Sequence, residues 1–317
     1  MRNALVTGGA GFIGSNLARR LLEMGVSVRV LDNMSTGRVE NVSEVPEIEI
    51  IDGDVRDPET LDRAVKGVDV IFHQAALPSV PRSINDPLAS HEANATGTLQ
   101  VLLAAQRASV PRVVCASSSS VYGDTPELPK HEDMTPNPLS PYAVSKLTGE
   151  HYCRVFARLY GLETVSFRYF NVFGPRQDPT SEYAAVIPKF IRMMAHGEAP
   201  QIHGNGEQSR DFTYVANVVD GNIRAATAPN VAGSVFNLAC GERFTLLQLV
   251  EEINEMLGTN IQPILGKERP GDIKHSLADI SRARSLLGFE PTVRFSEGLR
   301  NTANWFLAAD AADVSAR

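Results

Sequence analysis

The chain has 317 residues, 43% of them hydrophobic and 21% charged, with a formal net charge of −7. That is the profile of a soluble globular protein long enough for two subdomains. The acidic balance, with no Lys/Arg run, excludes a basic stripe for nucleic acid. No apolar run reaches the ~18 residues of a membrane span. Met1-Arg2-Asn3 leads straight into an apolar run with no signal-peptide pattern. Cys115, Cys153 and Cys240 have neither CxxC nor metal-ligand spacing. Reduced, buried thiols in a cytoplasmic protein without a metal are therefore expected.

Ala4-Leu5-Val6 opens an alternation of strand and helix. The run ends in Thr7-Gly8-Gly9-Ala10-Gly11-Phe12-Ile13-Gly14, after which Leu17, Leu21 and Leu22 share a helical face as far as Gly25. Buried strands are expected at 26–31, 48–51, 68–72, 112–116 and 164–170, separated by helical stretches. Such βαβ repetition implies a parallel sheet covered by helices on both faces. After Gly174-Pro175 the elements shorten, and a further strand is expected at 235–238. The fold class is thus α/β: a Rossmann-type doubly wound parallel sheet over 1–172, to which 211–240 returns. A smaller C-terminal α/β substrate lobe takes 173–210 and 241–317. The tail from Ala308 to Asp313 lacks apolar periodicity and is expected to fray.

Gly8, Gly11 and Gly14 form G-x-x-G-x-x-G between a strand and a helix. Small residues let backbone approach a pyrophosphate, and the helix N-terminus supplies amide donors and a positive dipole end. Asp32 stands at the end of the second strand, where a carboxylate accepts from the adenosine ribose hydroxyls and repels a 2′-phosphate. The expected cofactor is NAD rather than NADP. Asp54-Val55 ends the third strand and either borders the adenine or serves a turn.

Ser117-Ser118-Ser119-Ser120-Val121-Tyr122-Gly123 closes a strand, and Tyr142 and Lys146 follow one helical turn apart. A phenol near pKa 10 is a poor base at neutral pH. An adjacent ammonium and a positive nicotinamide ring both favour the phenolate. Ser118 would bond the reacting oxygen and relay the proton, making Ser118, Tyr142 and Lys146 the candidate catalytic set. Asn94 lies inside a helix and either orients the relay or the cofactor or is a structural polar group.

Several segments carry a likeness to a known family: His73-Gln74-Ala75-Ala76, Tyr142 to Lys146, Arg168 to Pro175, Arg210-Asp211-Phe212 and Arg269-Pro270-Gly271-Asp272. With the glycine loop, they make the chain resemble the extended short-chain dehydrogenases/reductases, specifically the nucleotide-sugar 4-epimerases. The likeness runs to about Trp305. It implies a UDP-hexose 4-epimerase that works through a transient 4-keto sugar with bound NAD, and a homodimer paired through the helices that carry Asn94 and Tyr142. Leu99, Leu102, Leu103, Tyr152, Val155 and Phe156 are the apolar residues expected at that contact.

The resemblance also implies a set of contacts. Phe12, Ile13, Asn33, Ser35, Thr36, Gly37, Gln74, Ala75, Ala76 and Ser117 join the glycines, Asp32, Asp54, Val55, Asn94, Tyr142 and Lys146 around the cofactor, with Tyr169 beside the nicotinamide. On the substrate side stand Ser79, Ser118, Ser119, Tyr142 and Asn171. Ala185-Val186 and Gln201-Ile202-His203 resemble uracil-contacting segments, and Arg210 and Arg269 resemble diphosphate-binding arginines. Asp272 resembles the carboxylate on the uridine ribose, and Ser276 stands at the gate beside the sugar 2-substituent.

The competing nucleotide-sugar reactions need other groups. A 4,6-dehydratase carries Asp-Glu where Ser119 and Ser120 stand, and a UDP-glucuronate decarboxylase carries a glutamate at Ser120. A hydroxyl cannot replace either acid/base. UDP-glucuronate 4-epimerases resemble the chain but recognise the uronate with an arginine where Asp178 would repel it. A non-catalytic NAD-binding sensor would lack the Tyr/Lys pair, and a simple carbonyl reductase would not need two phosphate-type arginines. Leu77 to Ser83 and Glu182 to Pro188 look most like epimerases that accept UDP-N-acetylhexosamines, although Pro78 replaces a glycine often found there. The preference between UDP-glucose and UDP-N-acetylglucosamine stays open at this level.

Overall fold

The computed structural model describes residues 1–178, 185–267 and 274–315. Strand β1 (Asn3–Thr7) enters the glycine turn, α1 (Phe12–Glu23) leaves it, and β2 (Ser27–Asp32) follows. Short α2 (Glu40–Ser43) leads to β3 (Glu49–Asp52), α3 (Pro58–Ala64) and β4 (Val70–His73). Helices α4 (Val80–Asn85) and α5 (Pro87–His91) reach α6 (Gly97–Arg107) through a π-helical turn at Glu92–Thr96. Next come β5 (Arg112–Ser118), α7 (Pro141–Tyr160), β6 (Glu163–Tyr169) and β7 (Val172–Phe173). Beyond them lie α8 (Val186–Ala195), β8 (Gln201–His203), β9 (Ser209–Arg210), β10 (Thr213–Tyr214), α9 (Val215–Thr227) and β11 (Ser234–Leu238). The chain closes with β12 (Phe244–Thr245), α10 (Leu246–Leu257), β13 (Ile264–Gly266), α11 (Ser281–Leu287) and α12 (Phe295–Ser315).

Seven strands form one parallel sheet in the order β3-β2-β1-β4-β5-β6-β11. The winding direction reverses between β1 and β4, and in such sheets the crevice beyond the strand carboxyl ends receives the ligand. The central strands β1, β4, β5 and β6 are buried on both faces, whereas the edge strand β3 is largely exposed. On one face Leu17, Leu21 and Val218 pack with Phe167 and Phe236. On the other, Leu61, Val101, Leu102 and Phe156 cover Ile71 and Val113. Among the shorter C-terminal elements, Phe244 stacks on Phe295 at 4.1 Å and Phe173 meets that ring edge-on at 5.9 Å.

Helix α7 has strong local reasons to start and stop where it does. Ser140 caps its first turn by accepting from Ala143 N at 3.2 Å, Pro141 occupies the first helical position, and Gly161 ends it in the left-handed region at φ 69°. The expectation of a frayed tail is corrected: α12 continues through Ser315. The alanines of 308–312 favour helix without an apolar stripe.

The glycine turn is the tightest place in the fold. A Cβ at Gly14 would lie 2.1 Å from Gly8 O and 2.8 Å from Gly9 Cα, both backbone atoms that cannot swing aside. Gly8, at φ +68°, faces Ala75 just beyond β4, whose Cα and N would be 2.6 Å from an added methyl. Gly149, inside α7, has ordinary contacts at 3.6 Å to the flexible Thr98 side chain. Gly14→Ala should therefore destabilise the protein by about 1–3 kcal/mol through overpacking. Gly149→Ala should be neutral or gain about 0.5–1 kcal/mol of helix propensity. Thermal denaturation of the two variants compares them directly; parental stability in Gly14→Ala would refute the constraint.

Candidate active site

The carboxyl ends of β1, β2, β4 and β5 open into a cleft of about 810 Å³. Gly8, Gly11, Phe12, Ile13 and Gly14 form its floor, and Asp32, Asn33, Ser35, Thr36 and Gly37 line it after β2. Asp54 and Val55 follow β3, Gln74, Ala75 and Ala76 follow β4, and Ser117, Tyr142, Lys146 and Tyr169 complete the wall. Every residue expected around the cofactor lines this one cleft except Asn94.

The local chemistry fits a dinucleotide. Helix α1 begins at Gly11 with no side-chain cap and no acidic residue in its first turn. Its N–H groups thus face the cleft for an anion, with the positive end of the helix dipole behind them. Asp32 accepts from Ala10 N and Met34 N, each at 2.9 Å, while burial, opposed by those bonds, raises its pKa. The Arg56 guanidinium, 2.7 Å from Asp54, leads the causes that hold that carboxyl down at about 2, and Asn33 adds a bond at 2.9 Å.

At the other end the relay residues converge. Ser118 Oγ accepts from Ser120 N at 3.2 Å and from Ser120 Oγ at 2.9 Å, and it hydrogen-bonds the Tyr142 phenol. Lys146 Nζ donates to Ala116 O at 3.0 Å and lies 6.0 Å from the Tyr142 ring centre. Burial pushes the lysine down to about 8. In the chain alone burial raises Tyr142 above its ordinary value, opposed by the Ser118 bond. The same burial that brings the groups together removes water from the phenolate. Tyr169 meets Gln74 Nε2 at 3.0 Å and Asn222 Nδ2 at 2.9 Å, bonds that fix its hydroxyl.

Asn94 stands behind the wall. Its Oδ1 accepts from Leu77 N at 2.8 Å, and its Nδ2 donates to Leu77 O at 3.2 Å and Ser145 Oγ at 3.1 Å. It thereby ties the 77–79 loop to α7 between Tyr142 and Lys146. Ser79 lines the cleft at φ 98°, a backbone conformation rare for serine, and caps α4 through Arg82 N at 3.2 Å.

The substrate-side residues fall into two groups. Ser79, Tyr142 and Ala185 line the cleft, with Ser118 and Ser119 at its β5 edge. Asn171, Arg210 and Ser276 gather elsewhere. Asn171 Nδ2 donates to Asp211 O at 3.2 Å, Arg210 Nη1 to Lys274 O at 3.1 Å, and Ser276 N to Ser209 O at 3.0 Å. Gln201, Ile202 and His203 make the neighbouring β8, which pairs with β13, while Val186 starts α8. Arg269, Asp272 and 179–184 lie outside the described residues.

Six basic or amide side chains among the described residues of the cleft were not singled out in the sequence: Arg38, Asn41, Arg56, Arg82, Arg176 and Gln177. Arg38 lies six residues after Asp32 and pairs with Asp178 at 2.8 Å. Asp178, which stands where a uronate-binding arginine is expected in the glucuronate epimerases, is thus held by Arg38 at the cleft edge. Arg176, at φ 68°, donates to Asn16 Oδ1 at 2.8 Å, fastening the 174–178 turn to α1. Position in the Gly-Pro-Arg turn was the only sequence signal for it.

The model of the NAD-dependent epimerase/dehydratase family matches residues 4–239. The chain belongs to this family. Among solved structures, a UDP-N-acetylglucosamine 4-epimerase from Methanobrevibacter ruminantium, in complex with UDP-N-acetylmuramic acid, is 43% identical. The likeness covers 97% of this chain and 99% of that one, with a TM-score of 0.93. A UDP-glucose 4-epimerase of Mycolicibacterium smegmatis is 39% identical over 95% of this chain and 97% of its own length. A UDP-glucuronic acid 4-epimerase from Bacillus cereus, with UDP-glucuronic acid and NAD, is 32% identical over 97% and 99% of the two chains, with a TM-score of 0.89.

In this family member a buried lysine sits beside the phenol at a cost to stability. Lys146 in the folded chain lies near 8 against 10.5 when exposed. Between those values the unfolded chain binds more protons, so the lysine's penalty is relieved as pH rises through that window. Below about 8 the penalty is fully present. Lys146→Met should therefore melt higher than the parent at pH 7, with the gap closing towards pH 10. A pH series of thermal denaturation curves checks it; a variant less stable than the parent at pH 7 would refute it.

Proposed function

We propose that this protein is a UDP-hexose 4-epimerase that interconverts UDP-glucose with UDP-galactose, UDP-N-acetylglucosamine with UDP-N-acetylgalactosamine, or both pairs. The observation that carries the reading is a Ser118–Tyr142–Lys146 relay with no free carboxylate beside it. The carboxylates among the described cleft residues are Asp32, Asp54 and Asp178. Each is engaged away from the relay, with Ala10 and Met34 amides, with Arg56 and with Arg38. Ser120, where other nucleotide-sugar enzymes carry an acid, spends its hydroxyl on Ser118. Loss of water or of carbon dioxide from the sugar needs an acid/base that the described residues of this site lack.

Tyr142, once ionised, accepts the proton of the sugar 4-hydroxyl as the phenolate and returns it to the 4-keto sugar. Ser118 holds the same oxygen, and the Lys146 ammonium offsets the negative charge the phenol acquires. Bound NAD supplies a hydride acceptor and donor at C4, held by the glycine turn, Asp32, Lys146 and Tyr169. For the hexose to present either face, the site must grip UDP firmly and the sugar loosely. Asn171 and Arg210 are assigned to the diphosphate, the guanidinium fork suiting that role; Arg269 and Asp272 are assigned with them from the motif alone. On this reading 173–210 and 241–317 make the substrate lobe.

Purified protein incubated with each UDP-sugar, the products resolved by NMR, tests the function, and denaturation should release NAD. Tyr142→Phe should lower turnover by about 10² to 10⁴ while UDP binding persists. Near-parental turnover in that variant, or release of mainly NADP, would overturn the reading.

Ser276 is assigned to the gate beside the sugar 2-substituent, where its small side chain admits an N-acetyl group. Ser276→Tyr should suppress the N-acetyl activity selectively, since overpacking costs about 1–3 kcal/mol. Parallel assays showing equal loss on both substrates would remove the gate.

A homodimer through α6 and α7 accords with exposed Val144, Val155 and Leu159 on α7. Leu102 and Phe156, expected at that contact, are buried in the chain's own core instead. Light scattering showing a dilution-stable monomer would exclude the dimer.

A further inference from the structure

Tyr142, Lys146 and Glu150 follow one another at i, i+4 and i+8, so they share one face of α7. The third is an acid in an otherwise dry place. Glu150 and Arg168 have side chains only 2% and 3% exposed, and their ion pair spans 2.8 Å. Glu150 Oε1 accepts from Arg168 Nε at 3.0 Å and from Ser117 Oγ at 2.5 Å, and Oε2 accepts from Arg168 Nη2 at 2.8 Å. Arg168 is braced in turn by the Tyr122 ring, 4.6 Å away, whose hydroxyl donates to Asn237 at 2.7 Å.

The pair meets the relay at one point. Ser117 and Arg168 are register partners on β5 and β6. On one side of Ser117, Ala116 O receives the Lys146 ammonium; on the other, Ser118 bonds the Tyr142 phenol. The Glu150 carboxylate thus holds the middle residue of the three-residue stretch on which both catalytic side chains of α7 rest. A buried ion pair is weak evidence for stability, because apolar residues of similar volume often do as well. Placement is what this one adds. We propose that Glu150 and Arg168 are positioning residues that lock α7 against the end of β5 and so set Tyr142 and Lys146 over Ser118.

The pair also keeps the neighbourhood of Lys146 neutral. The other titratable groups facing the ammonium are His73 on β4, Cys115 on β5 and Tyr142 on its own helix. Burial drives His73 down to about 3 and holds the phenol up, while the bond from Cys153, with burial, holds the Cys115 thiol up, so all three are uncharged at pH 7. Arg168 cannot shed its charge. Without Glu150 it would stand as an uncompensated buried cation beside Ser117, next to the Ala116 carbonyl that holds Lys146.

The role rests on the relay proposed above, and two variants separate placement from charge. Glu150→Gln should lower the lysine's pKa by about one unit, read by NMR of side-chain-labelled lysine, with Lys146→Met to assign the signal. The alkaline limb of kcat should move to lower pH with it. The double variant Glu150→Leu/Arg168→Met removes both charges and the Ser117 anchor together. Its lysine signal should titrate near the parental value. Its kcat should fall about 10- to 100-fold, the scale of a misplacement near 1 Å, with KM for the UDP-sugar unchanged. An unshifted lysine in folded Glu150→Gln, or parental kcat in the double variant, overturns the role. Should Glu150→Gln fail to fold, the double variant alone decides. The NMR measurement needs no substrate, so inactivity of the parent on UDP-sugars would overturn the proposed function and leave this arm intact.

Discussion

The seating of α7 along β5 is the contact on which the rest of the site depends. One helix face delivers a phenol, an ammonium and a carboxylate to three consecutive residues at the end of one strand. Lys146 reaches Ala116, Tyr142 reaches Ser118, and Glu150 reaches Ser117 between them. A helix advances ~6 Å per four residues and a strand ~3.3 Å per residue, so such a match holds only where the two elements cross at one register. Asn94 supports it from the far side through Ser145 and Leu77.

A second joint links the sheet to the shorter elements that follow it. Asp211 is fully buried, and its carboxylate accepts from Cys240 N, Gly241 N and Ala278 N. Three chain segments therefore meet on one side chain, while its own carbonyl receives Asn171. Burial dominates the three bonds and raises the acid to about 7. Arg210, the adjacent residue, is positioned by the same joint. The arginine assigned to the diphosphate and the structural aspartate are thus consecutive residues, the first at the end of β9 and the second just beyond it.

Charge is handled in pairs at two of the cleft carboxylates and behind the relay, while Asp32 is held by backbone amides. Asp54 with Arg56, Asp178 with Arg38 and Glu150 with Arg168 each place a guanidinium on a carboxylate. The relay end, by contrast, is kept dry and nearly neutral, which raises the phenol and depresses the lysine. Burial favours the neutral form of each group, so the phenol and the lysine move apart in their readiness to give up a proton.

Local chemistry made much of this legible in the amino-acid order. The glycine spacing, the strand-end Asp32 and the Tyr142/Lys146 turn are short-range patterns with one mechanical use each, and all of them face one cleft. The alternation of apolar runs announced the parallel sheet, since strands buried on both faces cannot alternate with polar residues. Other features depended on distance in the chain. Arg38 and Asp178 are 140 residues apart, and Asp211 meets partners up to 67 residues away. No periodicity encodes such pairings. The same holds for ionisation: the sequence placed a cation one helical turn from the phenol, but how deeply both are buried is decided only by packing. Glu150 shows the division most plainly. Its spacing from Lys146 was visible in the chain, whereas its partners on β5 and β6 became neighbours only when the sheet assembled, because register between strands is a property of the fold and not of any one segment.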